Sequence, residues 1–504
     1  MVEREGRDPI AILLTMLRLT FSFPVTRKMM SYLNYRVDGE YVVNYVLRKL
    51  ANEKVSGCRI AHFYTFLLRS LIKIFAALTN SDYTVVEETL KDPAIRRGVT
   101  LVIRGLIRYG VTVPQKLPAP FLIVWNFTNM CNFKCTHCYQ CAHLPLTTEL
   151  SLGEKLNLIE QLDEAGVAAI ALSGGEPTIH PHFFTIVMEA AKRNMYVAVA
   201  TNGWMMADEK FVRKMKEAGV RYVEVSIDSV DPKKHDKFRG VPGAWERAIK
   251  AVRNAVKHGL HTAIATVITR YNIDEVEDMI ELADELGVHK IVFFNFIPVG
   301  RGTNIIDLDL DPIEREKVLH KLFRENKRHR VTVLSTAPQY SRVSLQESSG
   351  RNVIPTHFYN PGGNTITTAL AEYVGGCGAG RIYAAIEPDG TVTPCVFMPI
   401  RVNNIREEHF IDIWEKSNIL NMLRNRELLH GVCGRCPYRY ICGGCRARAY
   451  AYTGDPLGPD PGCIHNLKVW RMLVSRWEQV KERVQKLTST KPFMMEPTHS
   501  SLKG

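Results

Sequence analysis

No run of about 18 charge-free apolar residues occurs in the chain, so an ordinary membrane-spanning helix is not expected. Collagen-like or low-complexity periods are missing too. With 34 Gly and 25 Pro in 504 residues, fibrous and wholly disordered classes are excluded. The first residues do not read as a secretory signal. Glu3, Glu5 and Asp8 interrupt the basic segment, and no small-residue cleavage site follows 10–23. A cytoplasmic location with reduced thiols is therefore expected. There is no zinc-finger helix spacing, no RNP motif and no Lys/Arg block, so nucleic acid is not an expected partner. A net charge of +13 still favours something acidic, such as an anionic membrane surface or a polyanionic cofactor.

What the chain does have is cysteine: 12 in all, most in spaced groups. In a reducing compartment, grouped cysteines point to metal or redox chemistry before disulfides.

Residues 1–117 read as a helical, basic region, with 18 Lys/Arg against 10 Asp/Glu over 1–118. The stretch 60–78 is apolar on one face and carries Arg69 and Lys73 four apart on the other. It reads as a core helix or as an interfacial helix, which keeps a peripheral membrane contact open. Asp92 before Pro93 predicts a helix start. Pro114, Pro118 and Pro120 mark a boundary.

From 118 to 310 short β-branched runs alternate with amphipathic helices. Strands are expected at 121–127, 168–173, 196–200, 222–227, 262–268 and 290–296. Helices are expected between them at 153–165, 207–218, 244–258 and 273–286. Six βα units predict an α/β fold with a parallel sheet, whose chemistry sits at the C-terminal strand ends. Residues 311–376 read as a bridge, 377–466 as a small Cys-rich domain, and 467–504 as a helix with a disordered tail.

Cys131, Cys135 and Cys138 are spaced CxxxCxxC directly after the first strand, with Tyr139 next. Three thiolates on a cubane leave one iron open, whereas zinc sites more often show two CxxC pairs. Cys141 reads as a fourth ligand or, in preference, as a free thiol. Further motifs end the later strands: Gly174, Gly175, Glu176 and Pro177 after the second, then Thr201 to Gly203, Ser226 to Asp228, Thr266 to Asn272, and Pro298 to Arg301. This ordered series resembles the radical S-adenosylmethionine (SAM) superfamily.

The resemblance implies a partial (β/α)6 barrel in which Cys131, Cys135 and Cys138 hold a [4Fe–4S] cluster. SAM would chelate the open iron through its amine and carboxylate. Gly174 and Gly175 would let backbone approach the methionine amine, Glu176 would balance its charge, and Pro177 completes that motif. Tyr139 would lie near the adenine. Ser226 and Asp228 would meet the SAM hydroxyls or its methionine moiety, Asn272 the ribose or the adenine, and Asn202 would be a further cofactor-binding residue. Arg301 would meet the SAM carboxylate or a substrate acid. The chemistry implied is reductive cleavage of SAM to a 5′-deoxyadenosyl radical that abstracts hydrogen. The electron would come from a low-potential donor such as ferredoxin or flavodoxin.

Cys377, Gly390 and Cys395, then Cys433, Cys436, Cys442, Cys445 and Cys463, resemble the SPASM extension of that superfamily, with two residues rather than three before Cys445. The resemblance implies one or two auxiliary iron–sulfur clusters. Cys433, Cys436, Cys442 and Cys463 would make a four-thiolate site, and Cys377, Cys395 and Cys445 a second site one ligand short. No cysteine between 141 and 377 can fill the gap.

The substrate stays open. One reading is a maturase acting on a peptide or a peptide-derived cofactor precursor. A second is an enzyme on a small anionic or lipid-like substrate, by haem-precursor decarboxylation or membrane-lipid modification. A third is a non-catalytic metal-binding scaffold. No winged-helix peptide-binding pattern is legible in 1–117.

Overall fold

A computed structural model describes residues 23–55, 58–79, 83–354 and 365–488 of the chain. The expected disordered tail, beyond Thr488, lies outside the described residues.

The N-terminal region is helical as expected, with helices Pro24–Ser31, Val42–Leu50, Arg59–Thr79, Tyr83–Leu90 and Pro93–Tyr109. One feature departs from an all-helical reading. A short antiparallel hairpin, β1 (Arg36–Val37) and β2 (Glu40–Tyr41), turns through Asp38 and Gly39, both at positive φ. An Asp-Gly pair adopts this conformation readily, and that is why two residues suffice to reverse the chain. Asp92 caps its helix by accepting from the Ala94 amide at 2.9 Å. On helix Arg59–Thr79, Ala61 and Tyr64 face the local core while Phe63 and Phe66 are exposed. No helix among the described residues is long and apolar enough to cross a membrane.

Ten strands form the main sheet: β3 (Leu122–Thr128), β4 (Ala169–Gly174), β5 (Tyr196–Thr201), β6 (Val220–Ser226), β7 (His261–Ile268), β8 (Lys290–Asn295), β9 (Thr332–Ser335), β10 (Tyr383–Ile386), β11 (Thr391–Thr393) and β12 (Asn403–Asn404). Their spatial order is β12-β11-β10-β3-β4-β5-β6-β7-β8-β9. β10 and β3 through β9 run parallel, while β11 and β12 turn back antiparallel. The six strands expected from the sequence are β3 to β8. β9, from the expected bridge, and β10, from the Cys-rich segment, extend the parallel set at its two edges. The strands are rich in Val, Ile and Ala because helices cover them, as in Leu158, Ile170, Val223 and Ile264 of the fully buried core.

The expected single C-terminal helix is two, Leu467–Val474 and Trp477–Thr488. The break lets Trp470 and Trp477 both meet Tyr452, at 5.9 and 6.4 Å between ring centroids.

Candidate active site

The motifs of the sequence converge at the C-terminal ends of the parallel strands. The loop after β3 carries Cys131, Cys135 and Cys138, and backbone and side-chain bonds hold it from several sides. The Cys131 amide donates to the His143 carbonyl at 3.0 Å and the Thr136 amide to the Phe238 carbonyl at 3.0 Å. The Glu149 carboxylate accepts from the Asn129 amide at 2.6 Å and from the Thr128 hydroxyl.

Arg301 has a place the sequence did not show. Its Nε donates to the Cys135 carbonyl at 2.9 Å and its Nη1 to the Ala142 carbonyl at 3.1 Å. Through these two bonds the guanidinium ties down the cysteine loop.

Gly174 sits at φ +102°, and a Cβ there would stand 2.9 Å from the Asn126 Cα. At Gly175 a Cβ would lie 2.1 Å from the Met130 carbonyl oxygen. Neither position has room for a side chain, because the β4 end presses against the strand feeding the cysteine loop. Gly175→Ala is expected to cost about 1–3 kcal/mol through this overpacking and to weaken SAM binding. Thermal melting and equilibrium dialysis of SAM would show both losses, and wild-type values would refute the steric argument.

Glu176 is buried, and burial pushes its carboxyl up. It accepts from the Thr201 hydroxyl at 2.8 Å and the Asn202 amide at 2.7 Å, besides the Thr178 amide and hydroxyl. It thus locks the β4 end to the β5 end. Pro177 opens the short turn Pro177–Ile179 behind it. The Asn202 side chain bridges onward to Asn132 of the cysteine loop at 2.8 Å.

At the β6 end, after Ser226, Asp228 is fully buried. Burial alone would raise its carboxyl, yet Arg239, aided by His137, His235 and the Val267 amide, holds it below the ordinary range. The Arg239 Nε donates to Asp228 Oδ2 at 2.6 Å, and its Nη1 reaches the Cys135 sulfur at 3.9 Å. Asn272 is spent on backbone: its amide donates to the Asp228 and Val267 carbonyls at 2.8 and 2.9 Å. It fastens the ends of β6 and β7 together. Tyr139 is bonded through its hydroxyl to Asn126 at 2.9 Å and Ser173 at 3.0 Å, and Phe397 of the Cys-rich segment stands edge-on at 5.1 Å. Arg239, Glu149 and Arg301's bracing role lay beyond sequence reasoning, since isolated polar residues carry no spacing signal.

The helix that follows Cys445, Arg446–Thr453, is tied to the end of β8. Arg448, buried, donates to the Phe296 carbonyl and, at 2.6 Å, to the Asn295 side chain. Cys436 and Cys442 each feel Cys433, and Cys463 feels Cys442. Cys445 feels Cys377, and the Tyr383 phenol, pushed up first by burial, also feels Cys395, Cys377 and Cys445.

The donor chemistry suits iron–sulfur clusters. Burial pushes the Cys135 thiol up to about 11 and the Cys442 thiol up to about 12. Such thiols ionise at neutral pH only when a metal bond compensates the lost hydration. Among the described residues, no three His, Cys, Asp or Glu side chains close on a single metal ion.

Comparison with known proteins places this geometry. The radical SAM superfamily profile matches residues 125–283, and that of the SPASM iron–sulfur cluster-binding domain matches 377–437. An AdoMet-dependent heme synthase of Methanosarcina barkeri is 35% identical over 352 residues, covering 69% of this chain and 97% of that protein. The chain belongs to the radical SAM superfamily. This radical SAM enzyme is also 30% identical to the mycofactocin maturase MftC of Mycobacterium tuberculosis, over 69% of this chain and 84% of that one. Streptococcus suis SuiB, crystallised with its precursor peptide SuiA, shares the fold at a TM-score of 0.59 and 15% identity, over 85% of this chain and 94% of that one. The cofactors of a radical SAM/SPASM enzyme are a [4Fe–4S] cluster, auxiliary iron–sulfur clusters and SAM.

Proposed function

We propose that this enzyme abstracts hydrogen from the side chain of a small carboxylate-bearing substrate of the haem-precursor type. The observation that carries the reading is the likeness to the AdoMet-dependent heme synthase, which runs through 97% of that relative at 35% identity. When bound, the cluster and SAM supply the hydrogen-abstracting 5′-deoxyadenosyl radical. The chain's own residues bind, brace and shield. Cys131, Cys135 and Cys138 would hold the SAM-binding cluster, in a loop that Arg301 and Glu149 brace. Gly174 to Pro177, Asn202, Ser226, Asp228 and Tyr139 would border SAM, and Asn272 would fix the strand ends beneath it. Cys433, Cys436, Cys442 and Cys463 would hold one auxiliary cluster, and Cys377, Cys395 and Cys445 a second.

The test is anaerobic turnover of reconstituted protein with SAM, dithionite and iron-coproporphyrin III. The reading expects 5′-deoxyadenosine to rise with porphyrin and the porphyrin to lose carboxyl groups by mass. Porphyrin recovered intact, with 5′-deoxyadenosine unchanged, would overturn it. The likeness to the mycofactocin maturase supports a second reading, a peptide or peptide-derived substrate. In that case a short precursor peptide encoded beside the gene, and not the porphyrin, would stimulate SAM cleavage.

A further inference from the structure

One thiol of the Cys377, Cys395 and Cys445 set has a phenol oxygen beside it. The Tyr383 hydroxyl lies 3.0 Å from the Cys395 sulfur, in hydrogen-bonding geometry. Its ring is not a loose neighbour. Tyr383 opens β10 in parallel register with Leu122 of β3. Its amide donates to the Gly378 carbonyl at 3.2 Å and its carbonyl accepts from the Gly380 amide at 3.0 Å. The ring lies flush against Gly378, where even a Cβ would come within 3.0 Å of it. Strand pairing, turn and contact surface therefore fix the direction of the phenol.

Two uses of that oxygen can be told apart by geometry. Ligands on neighbouring irons of a cluster stand apart, because each binds its own metal. A phenol hydrogen-bonded to Cys395 shares that ligand's position and does not extend the ligand set. We propose that Tyr383 is a positioning residue of the Cys377, Cys395 and Cys445 site, donating its O–H to the Cys395 sulfur and leaving the fourth iron without a protein ligand from the phenol. The bond draws electron density from the sulfur, stabilises the reduced cluster and raises its reduction potential. The Phe397 amide, 3.4 Å from the same sulfur, acts in the same sense.

This inference rests on the reading that the three cysteines hold a cluster. The experiment keeps the two separate. Iron and sulfide are first counted on anaerobic full-length protein, where iron for only two clusters would overturn the underlying reading by itself. Tyr383→Phe is then compared with wild type by redox titration followed by electron paramagnetic resonance. The expected result is unchanged iron, a lower midpoint for one auxiliary cluster, and an unmoved midpoint for the SAM-binding cluster. An unmoved auxiliary midpoint overturns the hydrogen bond, and loss of one cluster's iron overturns it in favour of ligation by the phenol. Should Tyr383→Phe fail to fold, 3-fluorotyrosine placed at position 383 keeps the shape and strengthens the donor. A higher midpoint is then expected, and no shift would overturn the proposal.

Discussion

Replacing Cys131, Cys135 and Cys138 together by alanine abolishes 5′-deoxyadenosine formation, removes about four irons, and leaves the protein folded. The loop does not depend on its sulfurs for shape. Arg301 holds the Cys135 and Ala142 carbonyls, Glu149 holds its first turn, and the Thr136 amide is paired with Phe238. The auxiliary cysteines lie on a separate stretch of chain, 377–463, so their irons are expected to remain. Iron and sulfide analysis, with a chromatographic assay for 5′-deoxyadenosine, reads both effects. Residual SAM cleavage in the triple variant would show that the chemistry lies elsewhere. Loss of all iron would show that the three sites do not assemble independently.

Arg239→Met is expected to destabilise the protein by about 3–5 kcal/mol, because it leaves the Asp228 carboxylate buried without its cation. Both partners are buried, and the ion pair is 2.6 Å long. The pH dependence follows from the sign of the shift. In the wild type the Asp228 carboxyl lies below its ordinary value, burial opposing and Arg239 with the neighbouring histidines prevailing. Its contribution is therefore present above the unfolded pKa of about 3.9 and is lost as pH falls through the lower folded value. In the variant burial acts unopposed by Arg239, the carboxyl moves up, and ionising it costs stability as pH rises. The deficit in melting temperature should be larger at about pH 8 than at about pH 5, since the unfolded carboxyl is ionised at both. An equal deficit at the two would mean that Arg239 acts through packing or through Cys135 alone.

Much of the fold was legible because its signal is periodic. Runs such as that of β3, and helices such as Ala244–Lys257, match their expected positions within a few residues. β9 and β10 escaped because four residues, Ala-rich in β10, carry no alternation that distinguishes a strand from a turn. At the site, cysteine spacing and the Gly-Gly-Glu-Pro run announce themselves because few other roles need those residues at those intervals. Arg239 and Tyr383 do not: their meaning lies in distances to Asp228, 11 residues away in sequence, and to Cys395, 12 away, which turns of irregular spacing bring together. Asn272 and Arg301 show the converse. Their positions were legible, but the backbone carbonyls they bind appear only once β6, β7 and the cysteine loop are packed together.

The central claim is that one chain assembles a SAM-binding cluster beside two auxiliary ones. The most direct test is iron, sulfide and zinc content of anaerobically purified protein, with electron paramagnetic resonance of the reduced sample before and after SAM. About 11–12 irons, and a SAM-induced change confined to one of three reduced signals, is the expected result. Stoichiometric zinc with little iron, or spectra indifferent to SAM, would contradict it.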